Sequence, residues 1–420
     1  MLLNDENIEY AFLGGVFPIE MEEHIKANSI GPIQYAANVL QWNFINGIEK
    51  NIGYPVKLIN CMFIGSFPKR YHDAIIKTQK FSHVLGSDDI NIGFLNITII
   101  KQIILPILIQ KALKEWVFNN SNRQKVLIVY SANYVDVINY VKKIDPTIHI
   151  CLILPDLPMY MNIGKSMLYR IINYKNRIML NKTVNNIDSF VFLTKQMSEY
   201  LRIASNSYTV VEGMIDNTEY VTQQETKEVQ HCSVKQIVYT GTLTRQYGVM
   251  DLINAFLEIP DNNMQLIICG DGEAREDVIK VSENDTRIKY MGIISHQEAR
   301  RMQRNATALV NPRQNIGAYT KYSFPSKTME YLLSGVPVIC YKLDGIPEEY
   351  DDYLFYVQEE EINSYENLKN KILEICSLSE DNRIKLGTKG REFVLCKKNN
   401  SVQTKKVLDM IMFGLQNTNK

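Results

Sequence analysis

The sequence has no excess of charge of either sign and no long uninterrupted apolar run. Its 420 residues include 46 Lys+Arg and 46 Asp+Glu, so the formal net charge is zero and no nucleic-acid partner is predicted. The most apolar stretch, residues 92–109, contains Asn96, Lys101, Gln102 and Pro106. A membrane-spanning helix needs about 20 nearly uninterrupted apolar residues. We therefore predict a buried helix there, with a membrane-surface patch as the alternative.

The patterns of cysteine and histidine that indicate disulfides or metal sites are also missing. The seven cysteines are scattered, several of them within apolar runs, and no two form a CxxC pair. This usage is typical of reduced, structural cysteines in the cytoplasm. The six histidines have no metal-ligand spacing, so no metal site is predicted. The first fifteen residues lack a basic region followed by an apolar run, and we expect no signal peptide.

What the chain does contain is a long alternation of apolar runs with helical stretches. Hydrophobic residues make up 45% of the sequence, and 420 residues suit two domains of about 200. Near-continuous apolar strands between helices predict parallel sheets covered on both faces, hence an α/β fold with two Rossmann-like domains. The predicted strands are residues 11–17, 56–62, 126–131, 148–154, 189–193 and 208–212, then 236–241, 265–270, 288–291, 307–311, 336–340 and 353–357.

A polar segment divides the two sets of strands. Residues 216–235 are rich in Thr, Gln and Glu and are predicted to be a linker between a domain of residues 1–215 and a domain of residues 236–395. The last stretch, residues 396–420, contains apolar side chains at helical spacing and is predicted to be a helix.

The most informative segment is residues 322–340, which read YSFPSKTMEYLLSGVPVIC. A loop, a helix, a stop at Gly335 and a buried strand follow each other, which is half of a nucleotide-binding α/β unit. At the predicted helix start, the amides of Ser326 and Lys327 are expected to face an anion. Glu330 lies one turn into the helix, on the side that can reach a ribose.

This segment resembles the donor-binding signature of GT-B glycosyltransferases, especially glycosyltransferase family 4. That family has two glutamates eight positions apart, followed by a small-Gly-x-Pro-Val-Ile strand. Glu330 matches the second glutamate, which in the family bonds the ribose of a nucleotide sugar. Tyr322 stands at the first, which in the family holds the donor sugar, and it is predicted to contact the donor.

The resemblance covers the second half of the chain well and the first half more loosely. It implies a GT-B fold, in which two Rossmann-like domains face each other across a cleft. The second domain is then expected to hold the nucleotide and the first the acceptor. It also implies that the predicted terminal helix, within residues 396–420, crosses back to the first domain.

Two glycine turns in the second half resemble other parts of the family pattern. After the strand that ends at Thr240, Gly241 lets backbone approach a phosphate closely. Thr242 and Tyr247 replace the arginine and lysine of the family, so Arg245 is predicted to stabilise the departing diphosphate together with Lys327. An ordinary strand-to-helix turn is the alternative.

The second turn, Gly270-Asp271-Gly272, borders the nucleotide base in the family, with a plain tight turn as the alternative. Arg275 stands where a dinucleotide fingerprint needs a third glycine, which argues against a nicotinamide site.

Three further candidates follow predicted strands. Arg313 is a candidate donor contact because strand ends on this side of a parallel sheet face the ligand crevice. Gly15, in the first loop, resembles the glycine-rich loop that lies over the donor phosphates, and a plain turn is equally consistent. Asp156 follows Pro155, which stands where the family often has a histidine. We predict that Asp156 accepts a proton or binds a sugar hydroxyl, with helix capping as the alternative.

The stretch of residues 157–187 is basic and amphipathic. It has five cations and no acidic residue, with aromatic and aliphatic residues between them. Such a helix can lie on an anionic membrane surface, or it can be the solvated face of a core helix. The cations are Lys165, Arg170, Lys175, Arg177 and Lys182.

Together these features predict an enzyme that moves a sugar from a nucleotide-sugar donor to a saccharide or polyprenyl-linked acceptor, in surface polysaccharide biosynthesis such as that of capsule or exopolysaccharide. The resemblance implies retention of anomeric configuration. No cofactor or metal is predicted besides the donor substrate, and the expected location is the cytoplasm, peripheral on the inner face of the cell membrane. Two alternatives stay open: a GT-B-fold sugar-nucleotide epimerase, and a catalytically degenerate GT-B partner protein.

Overall fold

The computed structural model describes residues 7–31, 33–119, 122–160, 167–217, 234–358 and 364–418. They form two compact units, one within Met1–Asp216 and Asn400–Lys420 and the other within Asn217–Asn399. Both units alternate strands with helices, and the predicted α/β class is confirmed.

An eight-stranded sheet is the centre of the first unit. The strands of this unit are β1 (Ile8–Gly14), β2 (Lys57–Asn60), β3 (Ile75–Ile76), β4 (Gln79–Phe81), β5 (Asp89–Asn91), β6 (Phe94–Leu95), β7 (Gln124–Tyr130), β8 (His149–Leu154), β9 (Ser189–Phe192) and β10 (Tyr208–Val210). The sheet order is β10-β9-β8-β7-β1-β2-β5-β4, and β3 pairs with β6 in a separate ribbon. All neighbours in the large sheet are parallel except β4 and β5. The chain order reverses between β1 and β7, which is where a ligand crevice opens in sheets of this kind.

The second unit has a fully parallel sheet. Its strands are β11 (Lys235–Thr240), β12 (Met264–Cys269), β13 (Ile288–Gly292), β14 (Ala308–Asn311), β15 (Val338–Tyr341) and β16 (Leu354–Val357). The order is β13-β12-β11-β14-β15-β16, so the reversal lies between β11 and β14. This is the order of a doubly wound nucleotide-binding sheet, and it predicts a ligand site at the carboxyl ends of those two strands.

Helices cover these sheets. In chain order they are α1 (Glu22–Asn28), α2 (Tyr35–Ile52), α3 (Thr98–Val117), α4 (Val135–Ile144), α5 (Met167–Thr183), α6 (Lys195–Leu201), α7 (Val249–Leu257), α8 (Arg275–Asn284), α9 (His296–Asn305), α10 (Lys327–Leu333), α11 (Ser364–Ser377), α12 (Glu380–Lys397) and α13 (Asn400–Thr418). None of them is both long enough and apolar enough to cross a bilayer.

The last helix, α13, packs against α2 within the first unit. A Cβ on Gly47 of α2 would come within 2.5 Å of the carbonyl oxygen of Asn400, so only glycine allows this approach. Asn51 of α2 donates to the Ser401 carbonyl at 2.8 Å and to Thr404 Oγ1 at 2.9 Å. The apolar side of α13 joins the main core of the unit through Val407, Leu408, Ile411 and Leu415.

Helix α3 differs from the buried helix predicted over residues 92–109. It begins at Thr98, because Phe94–Leu95 form strand β6, and it continues through Pro106 to Val117. Ile99, Ile103 and Ile107 are 63%, 63% and 61% exposed. The fully buried residues of the helix, Ile109, Leu113, Trp116 and Val117, all lie in its second half, so the prediction of a buried helix is wrong for the first half. Residues four apart share a helix face, and these three isoleucines form an exposed apolar stripe.

A buried histidine stands between two carboxylates beside β5. His83 Nδ1 lies 2.7 Å from Asp89 Oδ2, and His83 Nε2 lies 2.8 Å from Glu49 Oε1 on α2. The side chains of His83 and Asp89 are 2% and 0% exposed. Burial by itself lowers the pKa of His83, but the bonds to Asp89 and Glu49 outweigh it and raise the pKa to about 9. The ring is therefore a cation at neutral pH.

Candidate functional site

Two loops meet at the carboxyl end of the second sheet, one after β11 and one after β12, beside the reversal between β11 and β14. A Cβ on Gly270 would overlap the carbonyl oxygen of Gly241, and one on Gly272 would overlap the carbonyl of Leu243. The amide of Leu243 donates to the Asp271 carbonyl at 2.9 Å. The structure thus brings the predicted donor-binding residues Gly241, Thr242, Gly270 and Gly272 together in one loop cluster, because glycine alone permits this packing.

Glu330 is the best-supported side chain of this site. Its Oε2 lies 2.7 Å from Lys327 Nζ, one helical turn earlier, and its Oε1 accepts from Gln303 Nε2 at 2.9 Å. Burial raises the pKa of Glu330, but Lys327 and Gln303 outweigh this and lower the pKa below its ordinary value. The carboxylate is therefore ionised and fixed in direction. Ser326, which precedes α10, is exposed.

Gln303 and Tyr331 tie this helix to the central strand. Gln303 Nε2 also donates to Thr240 Oγ1 at 2.8 Å, and the amide of Thr240 donates to Tyr331 Oη at 2.8 Å. Gln303 is buried, although it lies on α9, far from Glu330 in sequence. Sequence reasoning missed it, since an interior glutamine on a polar helix gives no local signal.

Arg313 is held between two aromatic rings. Its guanidinium lies 5.3 Å from the ring centroid of Tyr247 and 4.8 Å from that of Tyr319, and its Nη2 donates to Ser323 Oγ at 2.7 Å. The ring of Tyr247, which stands at the position of the family lysine, therefore contacts a cation from the segment that follows β14. Tyr322 ends the short 3₁₀ turn that precedes Ser323.

Arg245 has a different partner from the other cations. Its Nη2 pairs with Asp277 Oδ2 in the first turn of α8, and the side chain is 61% exposed. Its backbone amide donates to Glu273 Oε1 at 3.3 Å. Among the described residues no hydrogen bond or ion pair joins Arg245 directly to Lys327, so their sharing of a diphosphate stays a prediction.

The first unit has a cavity of about 310 Å³ at the carboxyl ends of β1, β2, β7 and β8. Asp156 lines it and is exposed, in keeping with its place at the end of β8. Gly15 lies at the end of β1, and its amide donates to Gln41 Oε1 at 2.7 Å. A Cβ on Gly15 would overlap the ring of Phe63, so the residue is required for this turn.

Several charged residues of this cavity were not predicted. Asp136, in the first turn of α4, lies 4.0 Å from Lys175 of α5, and burial raises its pKa against the effect of that lysine. Lys101 and Arg70 also line the cavity. In the sequence these residues are single charges in separate segments, and only the fold assembles them.

Helix α5 carries the predicted basic stretch. Arg170, Lys175 and Lys182 are exposed, and Arg177 lies 5.2 Å from the ring centroid of Tyr174. Lys165 lies outside the described residues. The exposed apolar residues Met167, Ile171 and Tyr174 share a face of this helix.

In the described part of the chain, no three His, Cys, Asp or Glu side chains are grouped to hold an ion.

One family model matches part of the chain, and many solved structures have a similar fold. Residues 234–377 match the family model described as Glycosyl transferases group 1. A search of curated proteins by sequence finds no match. Sucrose-phosphate synthase from Thermosynechococcus elongatus has a similar solved structure, with a TM-score of 0.63, 16% identity, and coverage of 96% of this chain and 99% of that chain.

Two further solved structures extend this likeness. The N-terminal domain of trehalose-6-phosphate phosphatase from Candida albicans has a TM-score of 0.66 at 14% identity, with 98% of each chain covered. The pneumococcal O-GlcNAc transferase GtfA, solved with UDP and GlcNAc, has a TM-score of 0.50 at 13% identity, with 77% of this chain and 61% of that chain covered. At such identities the likeness shows the fold.

Proposed function

We propose that this protein is a glycosyltransferase that takes its sugar from a nucleotide-diphosphate donor bound in the second unit, because residues 234–377 match the group 1 glycosyltransferase model and the chain has the GT-B fold. The observation that carries the donor assignment is the Glu330 carboxylate, ionised and held between Lys327 and Gln303. An oriented carboxylate accepts both hydroxyls of a ribose. The pneumococcal relative solved with UDP supports a donor of this class.

The proposed chemistry is departure of the nucleoside diphosphate from the sugar. Negative charge develops on the diphosphate, and fixed cations stabilise it most when they need no reorganisation. Lys327, paired with Glu330, and Arg313, clamped by two rings, have that property. We propose that Arg245 also binds the diphosphate, after its exposed ion pair with Asp277 breaks. We propose that the reaction uses no metal and no cofactor besides the donor. We also propose that the transferred sugar retains its anomeric configuration.

The acceptor is proposed to bind in the cavity of the first unit, where Asp156 binds or deprotonates its hydroxyl. We propose a saccharide or polyprenyl-linked saccharide, as in capsule or exopolysaccharide assembly, with the protein in the cytoplasm against the inner face of the membrane. Support comes from the exposed apolar faces of α3 and α5 and from the cations of α5.

Two measurements test the function. Nucleotide sugars are first screened for thermal stabilisation, because a ligand at 100 times its dissociation constant adds about 2.7 kcal/mol to the free energy of unfolding. The stabilising donor is then incubated with the protein, with and without acceptor saccharides. Sugar transfer, or donor hydrolysis above background, is the expected outcome. An epimerised nucleotide sugar as the product, or stabilisation without any turnover, would contradict the proposal.

If Lys327 and Arg245 bind the diphosphate, removing either side chain should weaken binding mainly of ligands that carry a diphosphate. Lys327→Ala and Arg245→Ala are each expected to weaken binding of the nucleotide-diphosphate sugar far more than binding of the nucleoside. A hydrogen bond to a charged group contributes about 1.5–3 kcal/mol, or roughly 10- to 100-fold in affinity. Calorimetry with both ligands measures this, and Lys280→Ala, an exposed lysine on α8, is the matched control. Equal losses for the two ligands would mean that the side chains support only the fold.

The membrane proposal predicts binding to anionic lipid that salt weakens. Near such a surface each cation contributes about 1 kcal/mol, and added salt shortens the range of the attraction. The triple change of Arg170, Lys175 and Arg177 to Gln should reduce co-sedimentation with anionic liposomes at low salt. The control changes three exposed lysines of the second unit, Lys280, Lys289 and Lys385, to Gln. Equal sedimentation of wild type and the α5 variant, or none by either, would leave this stretch as a solvated helix face.

A further inference from the structure

The cavity of the first unit contains a lysine without an acidic partner. Lys101, on α3, donates to the carbonyl of Ile64 at 3.2 Å, and its Nζ lies 4.5 Å from the ring centroid of Phe94. In the described part of the chain no carboxylate lies within ion-pair distance of this ammonium. Burial lowers the pKa of Lys101. A cation that loses water without gaining an anion is costly, so its retention inside a cavity indicates a ligand that supplies the anion.

A second cationic residue, Arg70, lies at the end of the same loop. The Arg70 amide donates to the Ser66 carbonyl at 2.9 Å, and a Cβ on Gly65 would clash with the backbone of Arg70. Lys101 binds the carbonyl of the preceding residue, Ile64, so both cations border one short loop, and both line the cavity. Ser66 lines the same region. Two cations beside a hydroxyl form a site for a phosphate or carboxylate group.

Another part of the cavity suits sugar hydroxyls. Asn176 Nδ2 lies 3.3 Å from Asn133 Oδ1, and both residues line the cavity with Asp156. Amides and a carboxylate supply both donors and acceptors, which hydroxyl groups require. A volume of about 310 Å³ is at the lower end of the range for small-molecule sites. It fits one or two sugar rings rather than a long oligosaccharide.

We propose that the cavity recognises an acceptor saccharide that carries an anionic group, either phosphate or carboxylate, which Lys101 and Arg70 bind. The inference rests on the proposed function and specifies its acceptor class. The anionic group can come from two sources. It can be an anomeric phosphate, as in a lipid-linked sugar, or a charged group elsewhere on a sugar ring. Asn133, Asn176 and Asp156 bind the hydroxyls in both cases.

Binding of four probes to the full chain, without donor, tests the proposal: glucose, glucose 1-phosphate, glucose 6-phosphate and glucuronate. At least one anionic probe is expected to bind about 10- to 100-fold more tightly than glucose, the factor that one charge-assisted hydrogen bond gives. Preference for the 1-phosphate identifies the lipid-linked source, and preference for either other anion identifies the second source. Equal binding of all four, or none up to millimolar concentration, would overturn the proposal.

Lys101→Met separates recognition from folding. The variant keeps the length and apolar packing of the stem, so its melting temperature should equal or exceed that of the wild type, whereas its preference for the anionic probe should vanish. Lys111→Gln, an exposed change on the same helix, is the control and should keep that preference. A preference that survives in Lys101→Met would overturn the proposal.

A nucleotide titration keeps this inference separate from the proposed function. UDP and the donor from the thermal screen are titrated into wild type and Lys101→Met, and equal affinities are expected because the lysine lies in the first unit. If the wild type binds none of these nucleotides, the proposed function is refuted. Normal nucleotide binding without anion preference would refute the acceptor inference alone.

Discussion

Glu330→Gln is expected to weaken nucleotide binding about 10- to 100-fold, since hydrogen bonds to a charged acceptor contribute about 1.5–3 kcal/mol. The substitution keeps the shape of the side chain and removes the charge that Lys327 and Gln303 stabilise. It also leaves an amide donor where two ribose hydroxyls need acceptors. Calorimetric titration of both proteins with the nucleoside diphosphate of the stabilising donor measures the effect. Unchanged affinity would refute the placement of the ribose at Glu330.

A second nucleotide makes this test specific for the ribose. The wild type should bind this nucleoside diphosphate more tightly than its 2′-deoxy analogue, and Glu330→Gln should lose much of that discrimination, because each change removes the same hydrogen bond. Glu366→Gln, an exposed change on α11, serves as the control and should behave as the wild type. If the losses of binding free energy from Glu330→Gln and from removal of the 2′-hydroxyl are additive, the hydroxyl does not bind Glu330.

His83→Ala is expected to lower the free energy of unfolding by about 3–5 kcal/mol, the cost of removing one partner from a buried ion pair. The remaining Asp89 and Glu49 carboxylates would lack the cation that joins them. Urea unfolding followed by circular dichroism measures the change. His24→Ala, which removes an exposed histidine paired with Asp73, should cost less than about 1 kcal/mol. Equal effects of the two substitutions would contradict the assigned role of His83.

The same cluster makes stability depend on pH. The pKa of His83 is raised to about 9 from an unfolded value near 6.5, so the folded state holds the proton more tightly. Its stabilising contribution is therefore complete below about pH 6.5 and is lost as pH rises through about 9. Unfolding free energies between pH 6 and 10 should show this decline in the wild type and a smaller one in His83→Ala. An equal decline in both proteins would assign the pH dependence to other groups.

The long strands could be predicted from sequence because parallel strands covered on both faces are continuous apolar runs. For example, β8 is fully buried and agrees with its predicted range to within one residue. The short strands β3 to β6 were missed, since two or three residues give too little periodicity. The exposed start of α3 was also missed, because apolar composition by itself does not say which side a helix turns to solvent.

The candidate site was predictable where its residues share one local element. Lys327 and Glu330 are three positions apart, so a helix brings them together whatever surrounds it. Gln303, and the two rings around Arg313, come from separate elements that only the sheet order brings together. Lys101 gave no signal either, because the absence of a partner is a property of the folded state.

The return of α13 to α2 has a consequence for the order in which the nascent chain can fold. The ribosome completes the whole second unit before the helix that fills the core of the first unit emerges. At about 5–20 residues per second, the roughly 180 intervening residues take roughly 10–40 s to synthesise. During that time the core residues Ile45 and Ile48 lack the α13 side chains that join them in the finished protein. The N-terminal part of the chain therefore cannot complete its core until α13 has been synthesised, although it is made first.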